Sequence, residues 1–322
     1  MILLLQYTLI FASVLLLVAL GGCVSEHSGV INLGLEGIMV MGALGGALVM
    51  KFMTASIPED GIVSGGKAFG MFLATFGASV LVGVLYSALL AVACVNLKAD
   101  QTIVGTALNM LGTAAATVFV KAINTAADPN NHSATIIYVE PKKAFVKTIG
   151  AFEFNWFMVI ALIILVLAYI TLYKTKFGLR LMACGEHPQA AGSVGINVFK
   201  MRWAGVLISG ALGGLGGICY ILAGVSQWQF EYGVAGFGFL SLAVMIFGQW
   251  KPTRIALAAL LFGLFRALSN VYAGFDALAA LNIPGTVYNM LPYIVSLIVL
   301  AFTSKKSRAP KAEGIPYDKG MR

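Results

Sequence analysis

Charged residues are scarce in this sequence. Asp, Glu, Lys and Arg together make up 11% of its 322 residues, whereas hydrophobic residues make up 59%. A soluble globular domain carries about 25% charged residues. The composition therefore excludes both a soluble domain and a disordered chain, because a disordered chain is poor in apolar residues.

Histidine and cysteine are also few, with three and four residues respectively. The cysteines form no CxxC pair and the histidines are scattered, so neither has the spacing of a metal site or a disulfide framework. The glycine run at 213–217 is not followed by the Lys-Ser or Lys-Thr pair of a phosphate-binding loop. We therefore expect no metal, no cofactor and no enzymatic activity, and we interpret the cysteines as small buried hydrophobic residues.

Long apolar runs are abundant, in contrast. We identify nine, at residues 3–21, 30–50, 69–95, 100–120, 154–173, 203–224, 237–250, 254–273 and 286–302. Most can cross the roughly 30 Å hydrocarbon core of a bilayer as a helix. We predict an all-α, polytopic transmembrane helical bundle of about 8–10 spans. The run 69–95 must tilt or bend, and the run 237–250 is short for a full span.

Lysine and arginine are concentrated in the loop 174–202 and in the tail 303–322. These segments hold much of the positive charge behind the net charge of +8. Because basic loops stay on the cytoplasmic side of a membrane, we expect both segments in the cytoplasm. This placement explains the charge without nucleic acid as a partner. The chain is interpreted as one transmembrane domain, residues 1–302, with a basic cytoplasmic tail, residues 303–322.

Two polar residues and several glycines interrupt the second apolar run, so we expect this segment to be broken or re-entrant. Asn32 and Glu36 are spaced four apart, so the sequence predicts that they share one helix face. A carboxylate costs about 2.5–3.5 kcal/mol near the bilayer centre on insertion scales, and such a residue usually faces the bundle interior or a wet cavity. Glu36 is therefore either a residue of a translocation pathway or gate, or a structural hydrogen-bonding group at a helix start. The sequence does not decide between these alternatives.

Arg266 lies deep in the run 254–273. A position about twelve residues into a helix is about 18 Å along its axis, so the guanidinium needs a partner inside the protein. Asp276, Glu231 and Glu36 are the carboxylates that we consider. A structural or vestibule role is favoured over direct substrate contact.

An aromatic and amide cluster at 227–232 precedes the short run 237–250. Trp228 is either part of an interfacial aromatic belt or part of a substrate pathway. Short, glycine-interrupted membrane segments tend to form transport sites, which draws attention to Phe239.

The basic loop 174–202 contains a short predicted helix. Pro188 suits its first turn, and Gly195 suits its C-terminal end. The small residues Ala190, Ala191 and Gly192 would allow close approach to a partner's groove. From composition alone, an ordinary solvated loop is the simpler interpretation.

These motifs together resemble bacterial ATP-binding-cassette importer permeases of the nucleoside/simple-sugar branch, which are related to branched-chain amino acid permeases. The matching stretches are Ala19-Leu20-Gly21-Gly22 with residues 25–37, the loop 178–196, Gly236-Phe237-Gly238-Phe239 through Gly248, and Leu291-Pro292-Tyr293-Ile294. Together they are spread over about residues 10–302, nearly the whole chain. The first stretch and the loop are the specific ones, whereas glycine runs alone are not.

The resemblance implies a permease subunit of an ATP-driven importer for a small polar solute, with a nucleoside expected. It implies three protein partners: a cytoplasmic ATPase dimer that hydrolyses the ATP, a second, related permease subunit, and an extracytoplasmic substrate-binding protein. The location implied is the bacterial cytoplasmic (inner) membrane, with the C-terminus inside. The ATPase-coupling role falls on Glu186, Ala190, Ala191, Gly192 and Gly195.

Several alternatives stay open at this point. The same importer class also serves riboflavin, simple sugars and branched-chain amino acids. A stand-alone secondary transporter or channel is a second possibility, although the membrane segments hold few charges for ion sites. The pathway residues expected are Asn32, Glu36, Asn109, Trp228 and Phe239, and the resemblance assigns no role to Arg266.

Overall fold

The apolar runs are helical over most of their described residues. The structure is a computed structural model that describes residues 2–55, 63, 65–138, 146–149, 152–223, 227–274, 284–303 and 308–320. In chain order the helices are α1 (Ile2–His27), α2 (Leu35–Thr54), α3 (Gly65–Ala91), α4 (Gln101–Ala127), α5 (Trp156–Lys174), α6 (Lys176–Glu186), α7 (Pro188–Ser193), α8 (Val198–Ile221), α9 (Phe237–Phe247), α10 (Pro252–Val271) and α11 (Gly285–Thr303). Eight helical segments of the described chain are long and apolar enough to cross a membrane. The predicted all-α polytopic bundle is confirmed.

The core of the bundle is built around α1 and α8, the two most buried spans. α1 packs against α8 and α10, and α8 packs against α2 and α3. Small residues make these contacts close: the backbones of Gly42 and Gly214 touch, and Gly263 lies against Ala12. A side chain at these glycines would overlap the facing helix, so the small residues allow the close helix packing that is typical of membrane bundles.

The connection between α1 and α2 is not helical. Residues 28–34 form a connector that runs into the bundle, and α2 begins only at Leu35. The prediction that Asn32 and Glu36 share one helix face is therefore wrong. The Asn32 Oδ1 atom accepts a hydrogen bond from the Gly34 amide at 3.2 Å, and such local side-chain bonds compete with helix formation.

Two other runs depart from regular full-length helices. α3 continues into a π-helical turn, Val92–Asn96, the kind of irregularity at which long helices often bend. The tilt or bend of this run stays a prediction. α9 has only 11 residues, or about 16 Å of length at 1.5 Å per residue. This helix therefore spans roughly half of a bilayer's hydrocarbon core.

Two small antiparallel sheets lie at one end of the bundle. β1 (Thr135–Ile137) pairs with β4 (Gln227–Gln229), and β2 (Val146–Ile149) pairs with β3 (Phe152–Asn155). The Tyr138 hydroxyl donates to the carbonyl oxygen of Ile221 at 2.9 Å, which fixes this sheet end at the C-terminus of α8. α6 and α7 precede the N-terminus of α8 and lie at the opposite end, the α7 end.

The tail returns to the α7 end as an ordered segment. Residues 308–320, the C-terminal strap, contain no helix or strand. The Ala312 amide donates to the Gly185 carbonyl at 2.8 Å, and Arg202 Nη1 donates to the Ile315 carbonyl at 2.8 Å. The two basic segments therefore lie at the same end of the bundle.

Candidate functional site

The chain enters the bundle interior just before α9. Gly233 and Gly236 have φ values of +57° and +77°, and Ala235 between them has +53°. Glycine adopts this left-handed region without the steric cost of a Cβ atom. The resulting turn lets α9 begin inside the protein, where Phe237 is 1% exposed, rather than at the membrane surface.

The carboxylate of Glu36 accepts hydrogen bonds from backbone amides at the start of α9. Its Oε1 atom accepts from the Gly236 amide at 2.8 Å, and its Oε2 atom accepts from the Gly238 amide at 2.7 Å. Glu36 is 9% exposed. The partial positive charge of a helix N-terminus stabilises an anion at this position. The geometry favours the structural alternative for Glu36, and its role in a pathway stays a prediction.

The two asparagines of the predicted pathway hold the α1–α2 connector. Asn32 Nδ2 donates to the Ser209 hydroxyl of α8 at 2.8 Å. Asn109 of α4 accepts from the Gly37 amide at 2.8 Å and donates to the Leu33 carbonyl at 2.7 Å. The structure thus brings Asn32, Asn109 and Glu36 together around one connector, with their polar atoms bonded inside the protein.

An aromatic cluster with one arginine lies beside the start of α9. The rings of Tyr220 and Phe237 are 4.3 Å apart, and Trp228 meets Tyr220 edge-on at 5.4 Å. The Trp228 indole donates to the Gly233 carbonyl at 2.9 Å. The Arg266 guanidinium lies 5.4 Å from the centre of the Phe237 ring and hydrogen-bonds the Tyr220 hydroxyl. Arg266 therefore finds a cation–π partner that the sequence did not suggest.

Of the three carboxylates considered as partners of Arg266, two bond other groups. Glu231 forms an ion pair with Lys121, Glu36 accepts the amides of α9, and Asp276 lies outside the described residues. Glu231 and Lys121 are each more than two-fifths exposed. This pair therefore belongs to the sheet end of the bundle rather than to its interior.

Phe239 differs from the other predicted pathway residues because its side chain is exposed. It is 50% exposed, whereas Asn32, Glu36 and Asn109 are buried. Tyr293 of α11 is 43% exposed, and a methyl group on Gly236 would stand 3.1 Å from its hydroxyl oxygen. An open aromatic surface therefore adjoins the N-terminus of α9.

The predicted coupling residues lie on α6, α7 and the turn that follows. α7 contains Pro188 in its first turn, and Gly195 has φ +86° just beyond its end. The short helix is therefore where the sequence predicts it. Glu186 and Ala190 are exposed, whereas Ala191 is buried and Gly192 lies beneath Tyr317 of the strap. Successive helical residues point about 100° apart, so the three small residues do not form one outward face.

All four cysteines are buried, as expected for small hydrophobic residues. Among the described residues, no group of three His, Cys, Asp or Glu side chains is arranged to hold a metal ion. Sequence reasoning missed three residues that contact the predicted site residues, namely Ser209, Gly238 and Tyr317. The Gly-Phe-Gly-Phe pattern could have indicated Gly238, but nothing in the sequence links Tyr317 to Gly192.

Comparisons with known proteins agree with this arrangement. A family model described as "Branched-chain amino acid transport system / permease component" matches residues 4–302. The chain is 39% identical to "Nucleoside ABC transporter permease protein NupC" of Lactococcus lactis subsp. cremoris, over 97% of this chain and 95% of that protein. It is 37% identical to "Guanosine ABC transporter permease protein NupQ" of Bacillus subtilis, over 98% of this chain and 96% of that protein.

A second permease protein of the same Lactococcus lactis is also similar. "Nucleoside ABC transporter permease protein NupB" is 32% identical over 34% of this chain and 30% of its own length. No solved structure was found to match. The family match spans nearly the whole chain, and the multi-pass bundle is what a permease requires. This chain therefore belongs to the family of branched-chain amino acid transport system permease components.

Proposed function

We propose that this chain is a permease subunit of an ATP-driven importer and forms the membrane pathway for a nucleoside. The observation that carries the proposal is α9, a half-length helix whose N-terminus lies inside the bundle beside the open ring of Phe239. Short, interrupted membrane helices form the transport sites of many transporters. The permease proteins NupC and NupQ, named for nucleosides and guanosine, support the choice of ligand.

The pathway follows the exposed side of α9. Phe239 offers an aromatic face on which a nucleobase stacks, an interaction worth about 1–3 kcal/mol per base. The nearby Tyr293 hydroxyl offers a hydrogen bond to a sugar or a base edge. The remaining predicted pathway residues act behind this surface by fixing the connector and the start of α9, namely Asn32, Glu36, Asn109 and Trp228.

The α7 end docks a cytoplasmic ATPase dimer. The exposed residues Glu186, Ala190 and Gly195 face the ATPase, whereas Ala191 and Gly192 transmit the contact inward. This assignment puts residues 174–202 and the C-terminus in the cytoplasm, in agreement with their positive charge. The membrane is the bacterial inner membrane.

Two further partners complete the importer. A related permease subunit forms the other half of the pathway, and the similarity of this chain to both NupC and NupB of one organism supports two different permeases in one complex. An extracytoplasmic binding protein delivers the nucleoside to the sheet end.

Co-purification tests the assembly. The chain carries an affinity tag at its C-terminus, is extracted gently from its native membrane, and its partners are identified by mass spectrometry. An ATPase, a second permease and a binding protein are expected. A chain recovered alone as a homo-oligomer would overturn the importer and favour a stand-alone transporter or channel.

Uptake by the purified complex in proteoliposomes tests the substrate. Radiolabelled guanosine should enter only with ATP and the binding protein, and excess unlabelled nucleoside should compete with it. Glucose, riboflavin and leucine serve as the competing alternatives. Transport of one of these instead of guanosine would refute the nucleoside assignment while leaving the importer intact.

A further inference from the structure

The C-terminal strap contacts α6, α7, α8 and the residues just before α4. It has no secondary structure of its own, so its conformational entropy must be offset entirely by tertiary contacts. These contacts fall into two groups. One group holds α6 and α7, and the other reaches the membrane helices.

Three contacts join the strap to α6 and α7. The Ala312 amide donates to the Gly185 carbonyl at 2.8 Å near the end of α6. Gln189 Nε2 donates to the Asp318 carbonyl at 2.8 Å at the start of α7. Tyr317, which is 7% exposed, packs with Ala191 of α7.

Gly192 shows how closely the Tyr317 ring approaches α7. A methyl group at Gly192 would stand 2.6 Å from the Tyr317 hydroxyl oxygen but 3.7 Å from its Cζ atom. The first distance is an overlap, and the second is an ordinary van der Waals contact. The hydroxyl alone thus excludes a side chain at Gly192.

The second group of contacts reaches the membrane helices. The Tyr317 and Phe199 rings meet edge-on at 5.3 Å near the start of α8, and Arg202 Nη1 donates to the Ile315 carbonyl at 2.8 Å. Lys98, just before α4, pairs with Asp318 at 2.7 Å. The strap therefore links α7 with the starts of both α4 and α8.

We infer that the C-terminal strap is a positioning element for ATPase coupling, with Tyr317 as its central residue. Force delivered to α7 by the ATPase passes through Tyr317 to α8, and through Asp318 to the start of α4. This role rests on the proposed function, because it requires an ATPase at the α7 end. It adds a part of the chain outside the predicted coupling loop.

A pair of substitutions tests the inference in the assembled complex. Gly192→Ala should displace Tyr317 and raise the ATP hydrolysed per nucleoside imported about fivefold, the lower end of typical coupling between sites. Tyr317→Phe should be close to wild type, because the ring remains. The double variant should regain wild-type coupling, since the overlapping oxygen is gone. A purely additive result, or a Gly192→Ala variant with normal coupling, would overturn the inference.

Limited trypsin digestion provides a readout that does not depend on transport. Arg308, Lys311 and Lys319 offer cleavage sites within the strap. Gly192→Ala should speed cleavage there, and the double variant should restore protection. Equal protection in all variants would refute the strap contact itself. If the strap behaves as expected but wild-type complex neither binds an ATPase nor imports a nucleoside, the proposed function fails and the coupling role of the strap with it.

Discussion

The interior at the start of α9 and the α7 end are held together by different kinds of contact. In the interior, buried side chains such as Glu36 and Asn109 bond backbone amides, and glycines bring helix backbones into direct contact. All of these contacts join helices, or the connector between them. The interior therefore resists local opening, because a lost contact exposes backbone groups within the membrane.

At the α7 end, a six-residue helix meets a strap that contains no helix or strand. The Lys98–Asp318 pair is more than two-fifths exposed, so water screens it strongly. Segments with few buried contacts open at low free-energy cost. Substitutions in the interior should thus change the stability of the whole chain, and substitutions at the α7 end should change coupling at constant stability.

Removal of the Glu36 carboxylate should have the largest effect. Glu36→Ala leaves the Gly236 and Gly238 amides without their acceptors, and each such buried donor costs about 1–3 kcal/mol. Unfolding of the purified chain in mixed micelles, followed by SDS titration, should show a destabilisation of about 2–6 kcal/mol. Glu36→Gln, which keeps one acceptor, should still assemble with the ATPase but import more slowly.

The matched control for Glu36 is Glu231, whose carboxylate forms an exposed ion pair with Lys121. Glu231→Ala should change stability by no more than about 1 kcal/mol. Equal stability of Glu36→Ala and wild type would contradict the view that this carboxylate holds α9.

A methyl group at Gly238 tests the same contact sterically. Its Cβ atom would overlap the Glu36 backbone and lie 2.8 Å from Oε2, so Gly238→Ala should cost about 1–3 kcal/mol as overpacking does. Gly77 of α3 is the control, because nothing lies within 4 Å of a Cβ atom there. Gly77→Ala should be neutral or stabilising by up to about 1 kcal/mol. Two variants of equal stability in the same SDS titration would disprove the close approach.

Loss of the Phe239 ring should affect transport without affecting stability. Because the ring is 50% exposed, Phe239→Ala removes little packing, but it removes a stacking surface for the base. Loss of about 1.4 kcal/mol of binding corresponds to a tenfold rise in the apparent KM for nucleoside. Phe69→Ala on α3 is the control, since Phe69 is 63% exposed. A Phe239→Ala variant with an unchanged KM would remove this ring from the pathway.

Charge reversal at Glu186 should disturb the α7 end alone. Glu186 is exposed, so Glu186→Lys leaves the bundle intact but presents the wrong charge to the ATPase. We expect nucleoside uptake per ATP hydrolysed to fall about fivefold. Asp128→Lys makes the same charge reversal at the sheet end, just after the last residue of α4. This control should leave nucleoside uptake per ATP hydrolysed unchanged. Normal docking and uptake in Glu186→Lys would refute the coupling assignment.

Much of the fold could be predicted from the sequence, because apolar runs long enough to span a membrane have few alternative structures. The short helix at Pro188 was also predictable from its own end signals. The polar residues and glycines of the second apolar run also indicated an interruption. Its position was not predictable, since the four-residue spacing of Asn32 and Glu36 is equally compatible with a helix. Only the Asn32 bonds to Gly34 and Ser209 show which structure prevails.

The candidate site was predictable in position but not in detail. Glu36 stood out as a rare membrane carboxylate, but its partners lie about two hundred residues away in the chain and no local pattern links them. The contact between the strap and α7 could not be predicted for the same reason. Tyr317 looks like an ordinary tail residue until the fold brings it onto Gly192.

The smallest effect expected is a pH dependence of strap attachment. Glu313 of the strap hydrogen-bonds Glu26 of α1, and burial raises the pKa of the Glu313 carboxyl from 4.5 to about 7. A group whose pKa is raised on docking favours the docked state at low pH, and that contribution is lost as pH rises through the raised pKa. The strap should therefore be held more firmly at pH 6 than at pH 8.

Trypsin cleavage at the strap, compared at pH 6 and pH 8, measures this difference. One proton allows a change of at most about tenfold per pH unit, and we expect about threefold because Glu313 is only partly buried. Glu313→Gln, digested under the same conditions, reports the protease's own pH dependence. Because this variant has no titratable carboxyl at position 313, its cleavage rate should change with pH by that amount only. The other titratable or charged side chains at this place include His27, Glu186 and Arg202, which remain in the variant. If wild type and Glu313→Gln showed the same ratio, the carboxyl pair would have no part in holding the strap. The strap would then depend on its other contacts, those of Tyr317, Asp318 and Arg202 among them.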